Sequence, residues 1–250
     1  MFDLTTVIVV SGTFFIAGTV KGVIGLGLPT VSLGLLTVAL DLQTAMALLV
    51  VPSFVTNLWQ SAVGGNAKVI LYRLWPLLVM ATVTVWIGVA ALTRLNPSLL
   101  TALLGAQLVT YSLVSLGGIR LTIPIRYEGW TGFLVGSANG VLTGMTGSSV
   151  VPGVMFLQAI GLPRDLLIQS MGILFAASTL ALAAALQQAN FLTVDHGLLS
   201  SAAVLPAIAG MIGGRWIRKG LTEQRFRTVF FFALLVLGAY LIANAIRMLR

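Results

Sequence analysis

The sequence predicts an all-α polytopic membrane protein built from two repeats. Three observations lead there. Only 8% of the 250 residues are charged, and 58% are hydrophobic. A soluble domain carries about 25% charged residues, so too few charges are present here to cover a water-exposed surface. The apolar residues are also gathered into runs near the ~20 residues that span a bilayer as a helix. Two of those runs are longer, are interrupted by Gly and Pro, and resemble each other.

The runs occupy 5–40, 43–63, 70–92, 98–117, 129–160, 163–189, 195–214 and 227–247. Six are single spans by length. Runs 5–40 and 129–160 are too long for one ordinary helix. The first contains GTVKGVIGLGLPTVSLGLL from Gly18, and the second contains GSANGVLTGMTGSSVVPGVMFL from Gly136. Aligned on these segments, Gly18 matches Gly136, Lys21 matches Asn139, and Gly22-Val23 matches Gly140-Val141. The chain therefore divides into a first repeat 1–117, a linker 118–128 and a second repeat 129–250, within one membrane domain 1–250.

Pro152 and the cluster Thr143, Thr146, Gly147, Ser148 and Ser149 are poor helix material. A broken helix at membrane depth is tolerated only where protein or a water-filled cavity satisfies the freed backbone. Both breaks are therefore candidate site linings. Charge distribution suggests their shape. If each long run crosses once, the basic residues divide six against seven between the two faces. If each enters, breaks and returns, Lys68, Arg73, Arg120, Arg126, Arg164, Arg215, Arg218, Lys219, Arg225 and Arg227 share one face, and only Arg94, Arg247 and Arg250 lie opposite. The positive-inside rule then places loops 64–73, 118–128 and 214–228 in the cytoplasm, across a plasma (inner) membrane. Each half becomes a Gly/Pro-broken helical hairpin plus about three transmembrane helices. Its odd number of crossings makes the two repeats inverted, a recurring design of secondary transporters.

The paired segments GTVKGVIGLGLPTVSLGLL and GVLTGMTGSSVVPGVMFLQAIGLPRD, with the chain's size, resemble the TauE/SafE sulfite-exporter-like permeases over nearly the whole length. The resemblance implies a permease for a small anion: sulfite, a sulfonate or a related organosulfur or carboxylate compound. One departure stands out. Many members carry a Gly-Gly-Gly run where this chain has GLGLP and GMTGSSVVP, which leaves room for a different substrate.

Lys21 is the only Lys or Arg deep inside an apolar run. An intramembrane charge is costly and is a functional candidate by default; the bland alternative is a lysine snorkelling from a helix end. Near a hairpin tip it would attract an anion. Backbone N–H groups around Leu28–Thr30, at the start of the returning half-helix, would add donors, and Pro29 suits that first turn. Gly25, Gly27 and Thr30 complete this tip. At the second tip, Asn139, Thr143, Thr146, Gly147, Ser148 and Ser149 supply neutral donors, or else serve only to satisfy the broken backbone. Ser53, Asn57, Gln60 and Ser61 share one helix face. Asn57 is read as lining a path and Gln60 as interhelical glue. The ladder Gly132/136/140/144 and the pair Gly210/Gly214 read as helix packing. Trp59, Trp75, Trp130 and Trp216 read as interfacial residues. His196 reads as a solvated residue at a span start.

With one His and no Cys, no metal site or cofactor is expected. No catalytic residue is assigned. An intramembrane enzyme could draw only on Ser148 or Ser149 with Lys21, so the chain is read as a non-enzyme. No Asp or Glu lies deep in a span, which argues against a carboxylate proton relay. The expected partners are a small anionic substrate and the lipid bilayer, not nucleic acid, since the basic residues sit in short groups between spans. The expected mode is export by alternating access. The alternative is a structural or assembly subunit without transport activity.

Overall fold

The computed structural model describes residues 3–119, 121–220 and 223–249. Arg120 and Arg250, counted above for orientation, lie outside the described residues, as does the side chain of Lys219. The described residues form helices and short connections, with no strand among them. In order, the helices are α1 (Leu4–Ile24), α2 (Leu28–Ala39), α3 (Leu42–Ala62), α4 (Ala67–Val83), α5 (Val85–Leu92), α6 (Pro97–Leu116), α7 (Glu128–Thr146), α8 (Met155–Ala159), α9 (Arg164–Gln188), α10 (Val194–Ala202), α11 (Val204–Gly220) and α12 (Glu223–Met248). Among the described residues, seven helical stretches are long and apolar enough to cross a membrane, counting α4–α5 and α10–α11 as one each. Both long apolar runs are broken, at residues 25–27 and 147–149, as the Gly content predicts.

Two compact units result, and neither coincides with a sequence half. The first holds Met1–Pro52, Asn96–Gly118 and Asn190–Arg250; the second holds Ser53–Leu95 and Ile119–Ala189. The chain passes from one to the other inside α3. Pro52 brings no N–H to the Leu48 carbonyl. Within the first unit the Ser200 hydroxyl of α10 donates to that carbonyl instead, at 2.7 Å.

In the first unit α1 packs along α11. A Cβ on Gly18 would lie 2.1 Å from the Ala207 carbonyl oxygen, and one on Gly22 2.3 Å from that of Met211. From the other side, Gly210 faces Phe15 and Gly214 faces Thr19 and Gly22. The partner numbers rise together, so α1 and α11 run parallel, in the small-residue contact typical of membrane helices. Helix α2 also runs parallel to α12, with Gly27 against Phe230 and Gly34 against Leu237. Helix α6 runs antiparallel to α12: Gly105 meets Ile242, Val109 meets Gly238, and the Tyr111 ring meets the Phe231 ring edge-on at 5.1 Å.

The second unit repeats these relations with other elements. Helix α7 runs parallel to α4 and α5, with Gly136 on Leu77, Gly140 on Ala81 and Thr84, and Gly144 on Val85 and Gly88. The expectation that the Gly ladder serves packing is met. The α3 segment of this unit lies antiparallel to α9. Ser53 Oγ is 3.3 Å from Thr179 Oγ1, Gln60 Nε2 donates to the Ile168 carbonyl at 2.7 Å, and Gln169 Nε2 donates to the Ser61 carbonyl at 2.8 Å. Gln169 Oε1 also accepts from the Asn66 N–H at 3.0 Å. Interhelical hydrogen bonds in membranes average about 0.6 kcal/mol each, so this seam contributes on the order of 2 kcal/mol. Gln60 is thus glue, as read from the sequence.

Candidate functional site

Each unit contains one of the two Gly-broken long runs, and the two breaks are built alike at the backbone. Helix α1 ends at Gly25, whose φ of 81° is left-handed and whose N–H donates to the Lys21 carbonyl at 2.8 Å. Helix α7 ends at Gly147, whose φ of 76° is also left-handed and whose N–H donates to the Thr143 carbonyl at 2.7 Å. Glycine takes this conformation without a Cβ penalty. Matched at these caps, Lys21 corresponds to Thr143. The sequence match of Lys21 with Asn139 is displaced by one helical turn, because the Gly spacing of four lets the two segments be aligned in either register.

The first break leads through Gly27, with φ of 106°, into α2. No side chain caps this helix start. The Val31 N–H reaches the Gly27 carbonyl at 2.9 Å, so the earlier N–H groups of Leu28 and Thr30 belong to the open first turn, where Pro29 has none to offer. Lys21 is buried, 4% exposed, in the last turn of α1. That burial excludes snorkelling from a helix end. The Thr30 hydroxyl, on a residue only 1% exposed, has no hydrogen-bond partner. Ser32, by contrast, is satisfied within its own helix, donating to the Leu28 carbonyl at 2.7 Å. Gly25 and Gly27 shape the break through their backbone conformation.

At the second break most hydroxyls serve the backbone. Thr143 Oγ1 donates to the Asn139 carbonyl at 2.7 Å and lies 2.8 Å from Ser149 Oγ. Thr146 Oγ1 donates to the Leu142 carbonyl at 2.7 Å and accepts from the Ser148 N–H at 3.3 Å. The Asn139 side chain folds across the break, where its Oδ1 accepts the Gly153 N–H at 2.9 Å. A Cβ on Gly153 would come within 2.5 Å of that oxygen, so only Gly admits the contact. Two polar groups are left over. Asn139 Nδ2 and Ser148 Oγ are buried without a hydrogen-bond partner.

Asn57 is fully buried on α3, where its Nδ2 donates to Ser53 Oγ at 3.0 Å; Ser53 in turn meets Thr179 of α9. This chain ties the two helices together. His196 lies in the first turn of α10, with its N–H capped by Thr193 Oγ1 at 3.2 Å. Trp59, Trp75, Trp130 and Trp216 are all exposed on the protein surface.

Three features escaped the sequence reading. Arg73, counted as an orientation residue, sits inside α4 and grips Glu128 at the start of α7 through Nε at 2.9 Å and Nη2 at 2.6 Å. Glu128 is thereby buried, 7% exposed. Helices α4 and α5 are divided at Thr84, whose hydroxyl bonds the Met80 carbonyl at 2.7 Å and the Ser137 carbonyl of α7 at 2.9 Å. The Asn139–Gly153 bond is the third. All three join residues far apart in sequence, and hydropathy carries no trace of them.

Comparison with known proteins places these features in a family context. The family model described as Sulfite exporter TauE/SafE matches residues 10–241. No curated protein and no solved structure matches the chain. Together with the seven apolar helices, the match makes this a multi-pass membrane protein.

Proposed function

The chain belongs to the TauE/SafE sulfite exporter family, a family of membrane transporters, and on that premise we propose that it is a permease for a small anion such as sulfite, a sulfonate or a carboxylate. One observation carries this reading beyond the family. A lysine, 4% exposed, stands one turn before a helix break that opens uncapped N–H groups at the start of α2. An intramembrane cation beside a helix N-terminus favours negative charge on both counts.

The direction proposed is export by alternating access. Efflux of an anion from a negative-inside cell is assisted by about 2.3 kcal/mol per charge per 100 mV, so a uniporter needs no coupling ion. Among the described residues, Asp41, Asp165 and Asp195 lie at helix ends, and Glu128 is engaged by Arg73. None is placed as a mid-span proton carrier.

The helix directions support a returning hairpin in run 129–160, as an inverted-repeat arrangement requires. If run 129–160 crossed once, α6 and α12 would be separated by an even number of steps and would run parallel. They run antiparallel, as do α3 and α9. In this arrangement the basic loops face the cytoplasm.

The test is flux from liposomes holding the purified protein, under an imposed inside-negative potential, with sulfite, a sulfonate and a carboxylate as cargo. Potential-driven efflux of at least one is expected. Absence of flux for all three would favour the structural or assembly subunit.

A further inference from the structure

Some buried hydroxyls in this chain are quenched by their own helices, while those of Thr30, Thr37, Ser148, Ser170 and Ser178 have no hydrogen-bond partner. Ser32, Ser112, Thr143 and Thr146 each donate to the carbonyl four residues earlier at 2.7 Å. This is the usual fate of Ser and Thr in an apolar helix. Asn139 and Ser148 break the pattern where α7 ends. Asn139 is 0% and Ser148 1% exposed, and Asn139 Nδ2 and Ser148 Oγ have no partner. The backbone carbonyls of both residues meet the same hydroxyl. Thr143 Oγ1 bonds the Asn139 carbonyl at 2.7 Å and approaches the Ser148 carbonyl at 3.3 Å. Buried polar groups are ordinarily satisfied, so two orphans on one break require an explanation.

The polarity of the orphans indicates what fits. The amide of Asn139 is fixed by the Gly153 N–H, which engages Oδ1 at 2.9 Å. Its open end is therefore NH₂, a donor with no acceptor capacity. A coupling cation would have to use that oxygen, one of whose two lone pairs already faces the Gly153 N–H, and the NH₂ end offers a cation no ligand. An anionic oxygen, in contrast, gains charge-assisted hydrogen bonds from such donors.

We propose that Asn139 Nδ2 and Ser148 Oγ form a neutral donor subsite that holds an oxygen of the anionic cargo and is not a cation site. This rests on the permease reading and adds where in the second unit the oxyanion is gripped. Thr143 and Thr146 bond the backbone around the subsite, and Ser149 meets the Thr143 hydroxyl.

The experiment measures sulfite, sulfonate and carboxylate binding by calorimetry on the detergent-purified protein. Asn139→Asp keeps the acceptor for the Gly153 N–H and turns the open donor into a negative acceptor. Ser148→Ala removes an orphan hydroxyl and no existing bond, so it reports even if the first variant fails to fold. Loss of about tenfold or more in affinity is expected from each, with sodium leaving the wild-type melting temperature unmoved. Wild-type affinity in Ser148→Ala and folded Asn139→Asp would overturn the proposal. So would sodium binding that Asn139→Asp tightens, or failure of the wild type to bind any of the three anions. The two readings fail separately. Anion flux undiminished in both variants sinks the subsite and leaves the permease standing. Binding lost in the variants of a protein that moves no anion sinks transport and leaves the subsite standing.

Discussion

Lys21 and Thr143 occupy the same place relative to the left-handed glycine that ends their helices, yet only Lys21 can carry a charge. On the permease reading, that charge concentrates the anion at the first break. Lys21→Met should then cut liposome flux by about tenfold or more in protein that still shows a cooperative melting transition. Retained flux in a folded Lys21→Met protein removes Lys21 from the mechanism. Lys21 was legible from sequence because a lone charge in an apolar run is conspicuous. Thr30 was legible as part of a half-helix start, and its orphan hydroxyl became visible only in the fold. Asn139 was legible as a polar residue in a Gly-rich run, but not in its role across the break. That role depends on Gly153 coming within 2.9 Å of its side chain, and no spacing rule encodes such a return.

Helix packing follows the glycine ladders, and it gives sharper predictions than propensity alone. On Gly144 a Cβ would lie 2.2 Å from the Val85 carbonyl oxygen and 2.7 Å from the Gly88 Cα. Both obstacles are backbone, so α5 and α7 must move apart. Gly144→Ala is expected to cost about 1–3 kcal/mol by overpacking, read as a lowered melting temperature in detergent. A methyl group on Gly12 of α1 would meet nothing within 4 Å, so Gly12→Ala should leave the melting temperature unchanged or raise it. Equal losses in both would show that glycine serves backbone flexibility and not contact. The Arg73–Glu128 pair joins α4 and α7 nearer their starts. Removing one partner of a buried pair is destabilising, but Arg73 retains 34% of its side-chain surface in solvent, which weakens the effect. A cycle of Arg73→Met and Glu128→Gln should give a coupling of about 1 kcal/mol; additive losses would mean that the ion pair contributes nothing. The span boundaries were readable from hydropathy because membrane thickness imposes them. This clamp was not, since the two residues lie 55 apart in sequence and each resembles an ordinary loop charge.

At the scale of the whole chain, the arrangement of the repeats rests on helix direction more than on charge counting. Spanning helices joined by short loops must alternate in direction. Helix α6 is followed by run 129–160, then α9, then α10–α11, then α12. If every one of these crossed, α12 would point the same way as α6. The contacts Gly105–Ile242, Val109–Gly238 and Tyr111–Phe231 require the opposite. The same argument applied between α3 and α9, with α4–α5, α6 and the broken run between them, reaches the same answer through Ser53–Thr179 and Gln60–Ile168. Run 129–160 is the one stretch that is broken between both pairs, so it is the element proposed to return to its own face. The absence of cysteine makes the test direct. Single cysteines at Ile119 and Arg164 flank that run, and both should label from the cytoplasmic face. Cysteines at Thr5 and Asp41 flank the equivalent run near the N-terminus, and both should label from the other face, together with one at Arg94. Labelling of Ile119→Cys and Arg164→Cys from opposite faces would make run 129–160 a single broken span, and with it the inverted arrangement would fall. Opposite labelling of Thr5→Cys and Asp41→Cys would do the same for the first repeat. The outcome also decides how the breaks can work, because a hairpin tip buries its open N–H groups inside the protein, where on the permease reading the anion would replace the water they lack.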